Sequence, residues 1–160
     1  MLFDIIIPAY NPGEKLVEAV KSCYNQSYKE YVVTVIDDNS SEDLKKLLWD
    51  FPDIRYIKNE SNLGPAGARN VGIKTSDADI ISFLDADDLM HKDKLKNTLS
   101  VFRSSKNIAM VCGNYRVLVN RKTLRAPFYK KNISVNHKSC LLYTSPSPRD
   151  SSPSRMPSSA

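Results

Sequence analysis

The sequence contains no run of about eighteen apolar residues, the length that a membrane-spanning helix requires, so none of its 160 residues is expected to cross a membrane. A secretory leader is also missing. Asp4 and Pro8 interrupt the apolar stretch near the start, and no basic segment precedes it. Cysteine is scarce: Cys23, Cys112 and Cys140 are odd in number and show no CxxC spacing. That argues against a disulfide framework or a zinc site and for a reducing compartment. Cys23 and Cys112 are expected to be small buried hydrophobes. The part of the chain that looks folded lacks a basic excess. Residues 1–115 carry 14 Lys and Arg against 17 Asp and Glu, while residues 116–160 carry 9 against the single Asp150, which accounts for the overall charge of +5. A nucleic-acid partner is therefore not expected. The length suits one core and is short for two.

What is present is an alternation. Phe3–Pro8 is a short β-branched apolar run of the kind that forms a buried strand. Asn11, followed by Pro12 and by Glu14, reads as the cap of a helix whose apolar face is Leu16, Val17, Ala19, Val20, Cys23 and Tyr24. Tyr31–Ile36 reads as a second strand. Ser40 or Ser41 then caps a helix carrying Leu44, Leu47, Leu48 and Phe51 and stopped by Pro52. Ile54–Lys58 predicts a strand nearer an edge, and Pro65–Thr75 a helix weakened by Gly67 and Gly72. Ile80–Leu84 predicts the most apolar strand. A helix over about Lys92–Phe102 and a strand over Ile108–Val119, bent at Gly113, complete the pattern. Strands separated by helices imply an α/β fold, a mostly parallel sheet with helices on both faces.

The end is of another kind. From Thr144 onward the chain is mostly Ser and Pro and cannot bury a face. The stretch CLLYTSPSPRDSS at Cys140–Ser152 resembles translated sequencing-adapter sequence. The expected organisation is thus one incomplete domain over residues 1–139, followed by a disordered, non-native tail over 140–160.

In an open α/β sheet, ligands bind beyond the carboxyl ends of the strands. Pro8-Ala9-Tyr10-Asn11, Asp37-Asp38-Asn39-Ser40 and Asp85-Ala86-Asp87-Asp88 all fall there, and five of these residues are carboxylates. Like charges at one edge repel. A Mg²⁺ or Mn²⁺ ion held by hard oxygens and bridging a diphosphate would relieve that repulsion. Taken singly, each piece also fits a plain strand-to-helix turn, an acidic loop or an aromatic at the margin of the core. Their convergence is what carries the reading.

IIIPAYN at Ile5–Asn11, VIDDNSSED at Val35–Asp43, NLGPAGARNVG at Asn62–Gly72 and FLDADD at Phe83–Asp88 resemble, in order and interval, four signatures of family 2 glycosyltransferases. The resemblance covers residues 2–119. It implies a GT-A fold, a nucleotide-diphospho-sugar donor and a divalent metal. It places Pro8 and Tyr10 at the nucleoside, with the Tyr ring available for stacking. Asp38 would accept from the pyrimidine N–H, favouring uracil and hence a UDP-sugar. Arg69 would meet nucleotide or phosphate. Asp85 would lie at the ribose or beside the metal, and Asp87 would ligate the metal. Asp88 has two open roles, capping the helix near Lys92 or facing the acceptor. His91 takes no role and is expected to be exposed.

In this family a carboxylate further along the chain acts as the base that deprotonates the acceptor hydroxyl. After Asp93 the sole acidic residue is Asp150, so no base is expected in this chain, which would bind donor without completing transfer. The implied reaction is inverting sugar transfer to an unknown sugar or lipid-linked acceptor, in cell-surface polysaccharide or glycoconjugate synthesis. The implied setting is the cytoplasm, with any anchor to a membrane surface lying in the lost portion. Two alternatives remain. A sugar nucleotidyltransferase would need a Gly-rich basic loop where Pro8–Gly13 stands. A receiver-like signalling domain would carry its acidic pair after the first strand.

Overall fold

The computed structural model of the chain describes residues 1–113, 118–119, 122–123 and 133–136. These fall into two compact units, one over residues 1–92 and one beginning at Asp93. The tail over residues 140–160, with Cys140 and Asp150, lies outside the described residues.

In the first unit β1 (Phe3–Ala9), β2 (Tyr31–Asp37), β3 (Arg55–Lys58) and β4 (Ile80–Phe83) form one parallel sheet in the order β3-β2-β1-β4. The order explains the composition. β1 is flanked on both sides, and Phe3, Ile5, Ile6 and Ile7 are buried there together with the carboxylate-bearing Asp4. β3 is an edge, as its sequence predicts, with Arg55 and Lys58 exposed and Tyr56 and Ile57 half-buried.

Between the strands run α1 (Lys15–Tyr24), α2 (Leu44–Leu47) and α3 (Gly64–Thr75). α3 packs against β1 and β2, where Ala68 joins Ile6 and Ile36 in a fully buried cluster. The approach is close enough that a Cβ on Gly72 would stand 2.5 Å from Ile6 Cγ2. Gly72 therefore costs helix propensity but permits helix–sheet contact. Residues alternate across a strand, so Phe3, Ile5 and Ile7 face away from α3. They are also buried, and Phe3 meets the Tyr28 ring edge-on at 5.6 Å, so the second face is covered too.

Several local expectations are corrected. Asn11 does not cap α1. Glu14 stands at that cap without a side-chain bond, because the Asn11 amide is drawn to the neighbouring loop, as described below. α2 is capped by Asp43, whose carboxylate accepts the Lys46 N–H at 3.0 Å, rather than by Ser40 or Ser41. It ends at Leu47, well before Pro52, and the chain continues in turns through the bonds Trp49 N–H to Lys46 O and Phe51 N–H to Leu48 O.

In the second unit α4 (Lys94–Ser104) buries Leu95 and Leu99, while Phe102 is half-buried. Asp93 stands at the N-terminal cap position of α4, so Asp88 does not cap it. β5 (Ile108–Cys112) stops short of Val119 and stays out of the parallel sheet. It pairs antiparallel with β6 (Ile133–Asn136), and the intervening Leu118–Val119 and Lys122–Thr123 form a separate two-stranded pair. Cys23 is buried as expected, and burial pushes its thiol up to about 12. Cys112 is exposed, since β5 turns that position outward.

Candidate functional site

The carboxyl ends of β1, β2 and β4 open onto a cavity of about 590 Å³. Pro8, Tyr10, Asp38, Arg69, Asp85 and Asp87 all line it, although they come from four separate segments. Asp37, Asp88 and His91 do not, and His91 is exposed.

The rim is built by stitching loops together. Asn11, at φ 45°, turns its backbone so that its N–H donates to Ser40 Oγ at 3.0 Å. Its side-chain Oδ1 accepts from the Ser41 N–H at 2.9 Å and from the Ser41 hydroxyl at 3.0 Å. Asn tolerates this left-handed conformation better than most side chains. The Gly13 N–H donates to Glu42 Oε2 at 3.0 Å. This loop spends its amides on β2's loop, so it is not the open anion cradle that a nucleotidyltransferase would need.

Asp37 and Asp38 diverge. Asp37 is fully buried and accepts from the Tyr56 hydroxyl and from the Ser40 N–H at 2.7 Å, with Lys58 Nζ at 3.4 Å. Burial alone would push its carboxyl up, but these donors outweigh burial and hold it below the usual carboxylate range. Asp38 is buried but borders the cavity. Its Oδ1 accepts from Asn59 Nδ2 at 2.8 Å and from the Leu63 N–H at 2.9 Å. Leu63 immediately precedes α3, so Asp38 ties the start of that helix to the end of β2. Oδ2 has no protein partner among the described residues.

Across the cavity Arg69 donates to Asp85 Oδ1, and Lys15 Nζ lies 3.9 Å from Asp87 Oδ2. Lys15 also lines the cavity and is a residue that the sequence pattern does not single out. It sits outside every quoted motif and stands out only once α1 is placed. Asp88 is the carboxylate of this group whose pKa is raised, by burial first and then by the charges of Asp85 and Asp87.

Protein groups already offset part of the repulsion among these five carboxylates. Asp37, Asp38, Asp85 and Asp87 each already face a protein donor or cation. Among the described residues no group of three or more His, Cys, Asp or Glu side chains is arranged to hold a metal.

Comparison with known proteins places this geometry. The family model described as Glycosyl transferase family 2 matches residues 4–150. An amylovoran biosynthesis glycosyltransferase, AmsB of Erwinia amylovora, is 41% identical over 106 residues, covering 62% of this chain and 35% of that protein. The Escherichia coli UDP-Glc:alpha-D-GlcNAc-diphosphoundecaprenol beta-1,3-glucosyltransferase WfgD is 34% identical over 121 residues, covering 74% of this chain and 47% of its own. Residues 1–349 of S. aureus TarS, solved in complex with UDP, superpose with a TM-score of 0.70 at 25% identity, covering 82% of this chain and 40% of that solved piece. The chain thus spans about a third to a half of the length of AmsB and WfgD.

Proposed function

Because the chain belongs to glycosyl transferase family 2, we propose that this cavity binds the nucleotide-diphospho-sugar donor, a UDP-sugar, for inverting transfer of its sugar to a sugar or lipid-linked acceptor. Asp38 carries the reading. Its Oδ1 is locked by Asn59 and by the Leu63 N–H, which leaves an oriented acceptor, Oδ2, at the margin of the cavity. A uracil ring offers an N–H to such an acceptor, whereas cytosine presents a lone pair there and is repelled. Tyr10, more than half exposed beside Pro8, offers a ring face on which the base can stack. Arg69 is the guanidinium that meets the diphosphate. Support for uridine comes from WfgD, named for UDP-Glc, and from the TarS complex with UDP. A role in polysaccharide assembly is supported by AmsB, named for amylovoran biosynthesis.

Asp85 and Asp87 fit a divalent cation in part. Their hard oxygens, two residues apart on one loop at the cavity, suit Mg²⁺ or Mn²⁺. Two carboxylates do not complete a coordination shell, so the remaining ligands would be diphosphate oxygens and water. When bound, the ion supplies charge to the departing diphosphate. The chain's own part is to hold the base with Asp38, the phosphates with Arg69 and the loop geometry with α1 and β4.

No helix among the described residues is long and apolar enough to cross a membrane. The cytoplasmic setting rests on the supply of donor there. Titration calorimetry with UDP, with and without Mn²⁺, tests the reading. We expect binding that weakens in excess chelator. No measurable UDP binding would overturn the donor site, and equal binding with chelator would remove the metal.

A further inference from the structure

Asp85, Asp87 and Asp88 ride on the loop that leaves β4, and its two ends are held by different parts of the fold. The near end is tied to the sheet, where the Leu84 N–H donates to the Ile6 carbonyl at 3.1 Å. Within the loop the Asp88 N–H donates to the Asp85 carbonyl at 3.0 Å. The far end is held by the last turn of α1 and the residues just after it. The Ser22 hydroxyl accepts the Met90 N–H at 2.8 Å while donating to the Ala19 carbonyl at 2.6 Å. Gln26 Nε2 donates to the His91 carbonyl at 2.9 Å, and the Ser27 N–H donates to the Lys92 carbonyl at 2.8 Å. Three consecutive backbone positions are thus bonded to one short stretch of chain.

Gln26 is the informative member. It has no solvent exposure, and a buried amide costs free energy unless it is bonded. An apolar side chain of similar volume would fill the same space. What the amide adds is direction, a bond that fixes where the backbone at residue 91 lies. A loop of fixed length pinned at residues 84 and 90–92 can place the carboxylates between its anchors in few ways. Asp85 and Asp87 are largely exposed, and among the described residues their carboxylates are held by the long side chains of Arg69 and Lys15. Their placement therefore depends on the anchors more than on their own packing.

We propose that Ser22 and Gln26 are positioning residues of the donor site, holding the Asp85–Asp88 loop so that its carboxylates meet the metal and diphosphate. This rests on the donor-binding reading above. It separates the site into two halves with different supports, because Asp38 of the nucleoside half is held by Asn59 and by the Leu63 N–H. Partners that orient metal-binding carboxylates typically change metal affinity by about 10- to 100-fold when lost.

The test uses the full chain as Ser22→Ala, Ser22→Thr and Gln26→Met, with calorimetric affinities for uridine and for UDP with Mn²⁺. Ser22→Ala and Gln26→Met should weaken UDP with Mn²⁺ by about 10- to 100-fold and leave uridine unchanged. Ser22→Thr, which keeps the hydroxyl, should restore the unmodified affinity. Unchanged UDP affinity in both variants, or equal losses for uridine and UDP, would overturn the clamp, as would a threonine variant no better than alanine. If Gln26→Met fails to fold, the half-buried Ser22 pair decides alone. An unmodified chain that binds neither ligand would overturn the donor site and the clamp's role together. Binding of both ligands with indifferent variants would overturn only the clamp.

Discussion

Asp37 and Asp38, at the end of β2, are 0% and 3% exposed, whereas Asp85, Asp87 and Asp88, after β4, are exposed, Asp88 with part of its carboxyl desolvated. The first loop is satisfied mainly by short, directional donors, a tyrosine hydroxyl, an asparagine amide and two backbone N–H groups, with the Lys58 ammonium in addition. The second is held by the flexible arms of Arg69 and Lys15, which any stronger ligand can displace. One acidic loop is therefore part of the fold. The other is a surface whose partners are exchangeable, as a site that takes up a cation and a diphosphate needs.

The difference is broken most forcefully at its two extremes. Asp37→Ala strands the Tyr56 hydroxyl and the Ser40 N–H in the interior, and each buried donor left without a partner costs about 1–3 kcal/mol. Asp87→Ala, at an exposed carboxylate, should stay within about 0.5 kcal/mol. Urea unfolding of both variants measures the contrast, and equal losses would erase it. The pH dependence adds a sign. The carboxyl of Asp37 is depressed in the folded state, so its contribution is present above the ordinary carboxylate range and is lost as pH falls through the folded value. From neutral pH down to about pH 2, Asp37→Ala should lose less stability than the unmodified chain.

A smaller effect sharpens the comparison within β2's own loop. In Asp38→Asn the bonds from Asn59 and Leu63 require an acceptor at Oδ1, so the new NH₂ must occupy the Oδ2 position. That group opposes the uracil N–H and suits the cytosine lone pair. Uridine binding should fall by about 1.5–3 kcal/mol, the range for a bond to a charged group, and cytidine should become the better ligand. Preference for uridine persisting in calorimetry would show that Asp38 does not read the base.

The sheet and the site were legible to different degrees. β1 and β2 follow from apolar runs that burial explains, and β3's edge position follows from Arg55, whereas β4, the most apolar run, is the other edge and buries only Ile80. The convergence of Pro8, Tyr10, Asp38, Arg69, Asp85 and Asp87 on one cavity was readable because strand ends in such a sheet share an edge. The helix caps were not. Asn11 and Ser40 carry good capping side chains, but they bond each other's loops instead, a long-range choice that local patterns do not contain. Nor could composition separate Asp37 from Asp38. Adjacent and identical, they point opposite ways, since neighbouring residues at a strand end alternate sides. Lys15 and Gln26 were missed for a related reason, because each acts through a loop more than sixty residues away.

The smallest expected effect lies at Lys15. Its ammonium is 3.9 Å from Asp87 Oδ2 with both side chains largely exposed, so the pair contributes at most about 1 kcal/mol to folding and is screened by salt. Its effect on ion binding has a definite direction. An ammonium beside a carboxylate competes with any divalent cation for the same oxygen and repels the ion by its charge. Lys15→Met keeps an apolar side chain of similar length and removes only that competition. In the absence of nucleotide, Mn²⁺ should bind the variant about two- to fivefold more tightly at low salt, the equivalent of an exposed ion pair. In about 1 M salt, where the screening length falls to about 3 Å, the two proteins should converge. Free Mn²⁺ followed by electron paramagnetic resonance reads both conditions. Affinity unchanged at low salt would mean that Lys15 does not guard Asp87. Weaker binding in the variant would reverse the assignment and make Lys15 part of what organises the loop.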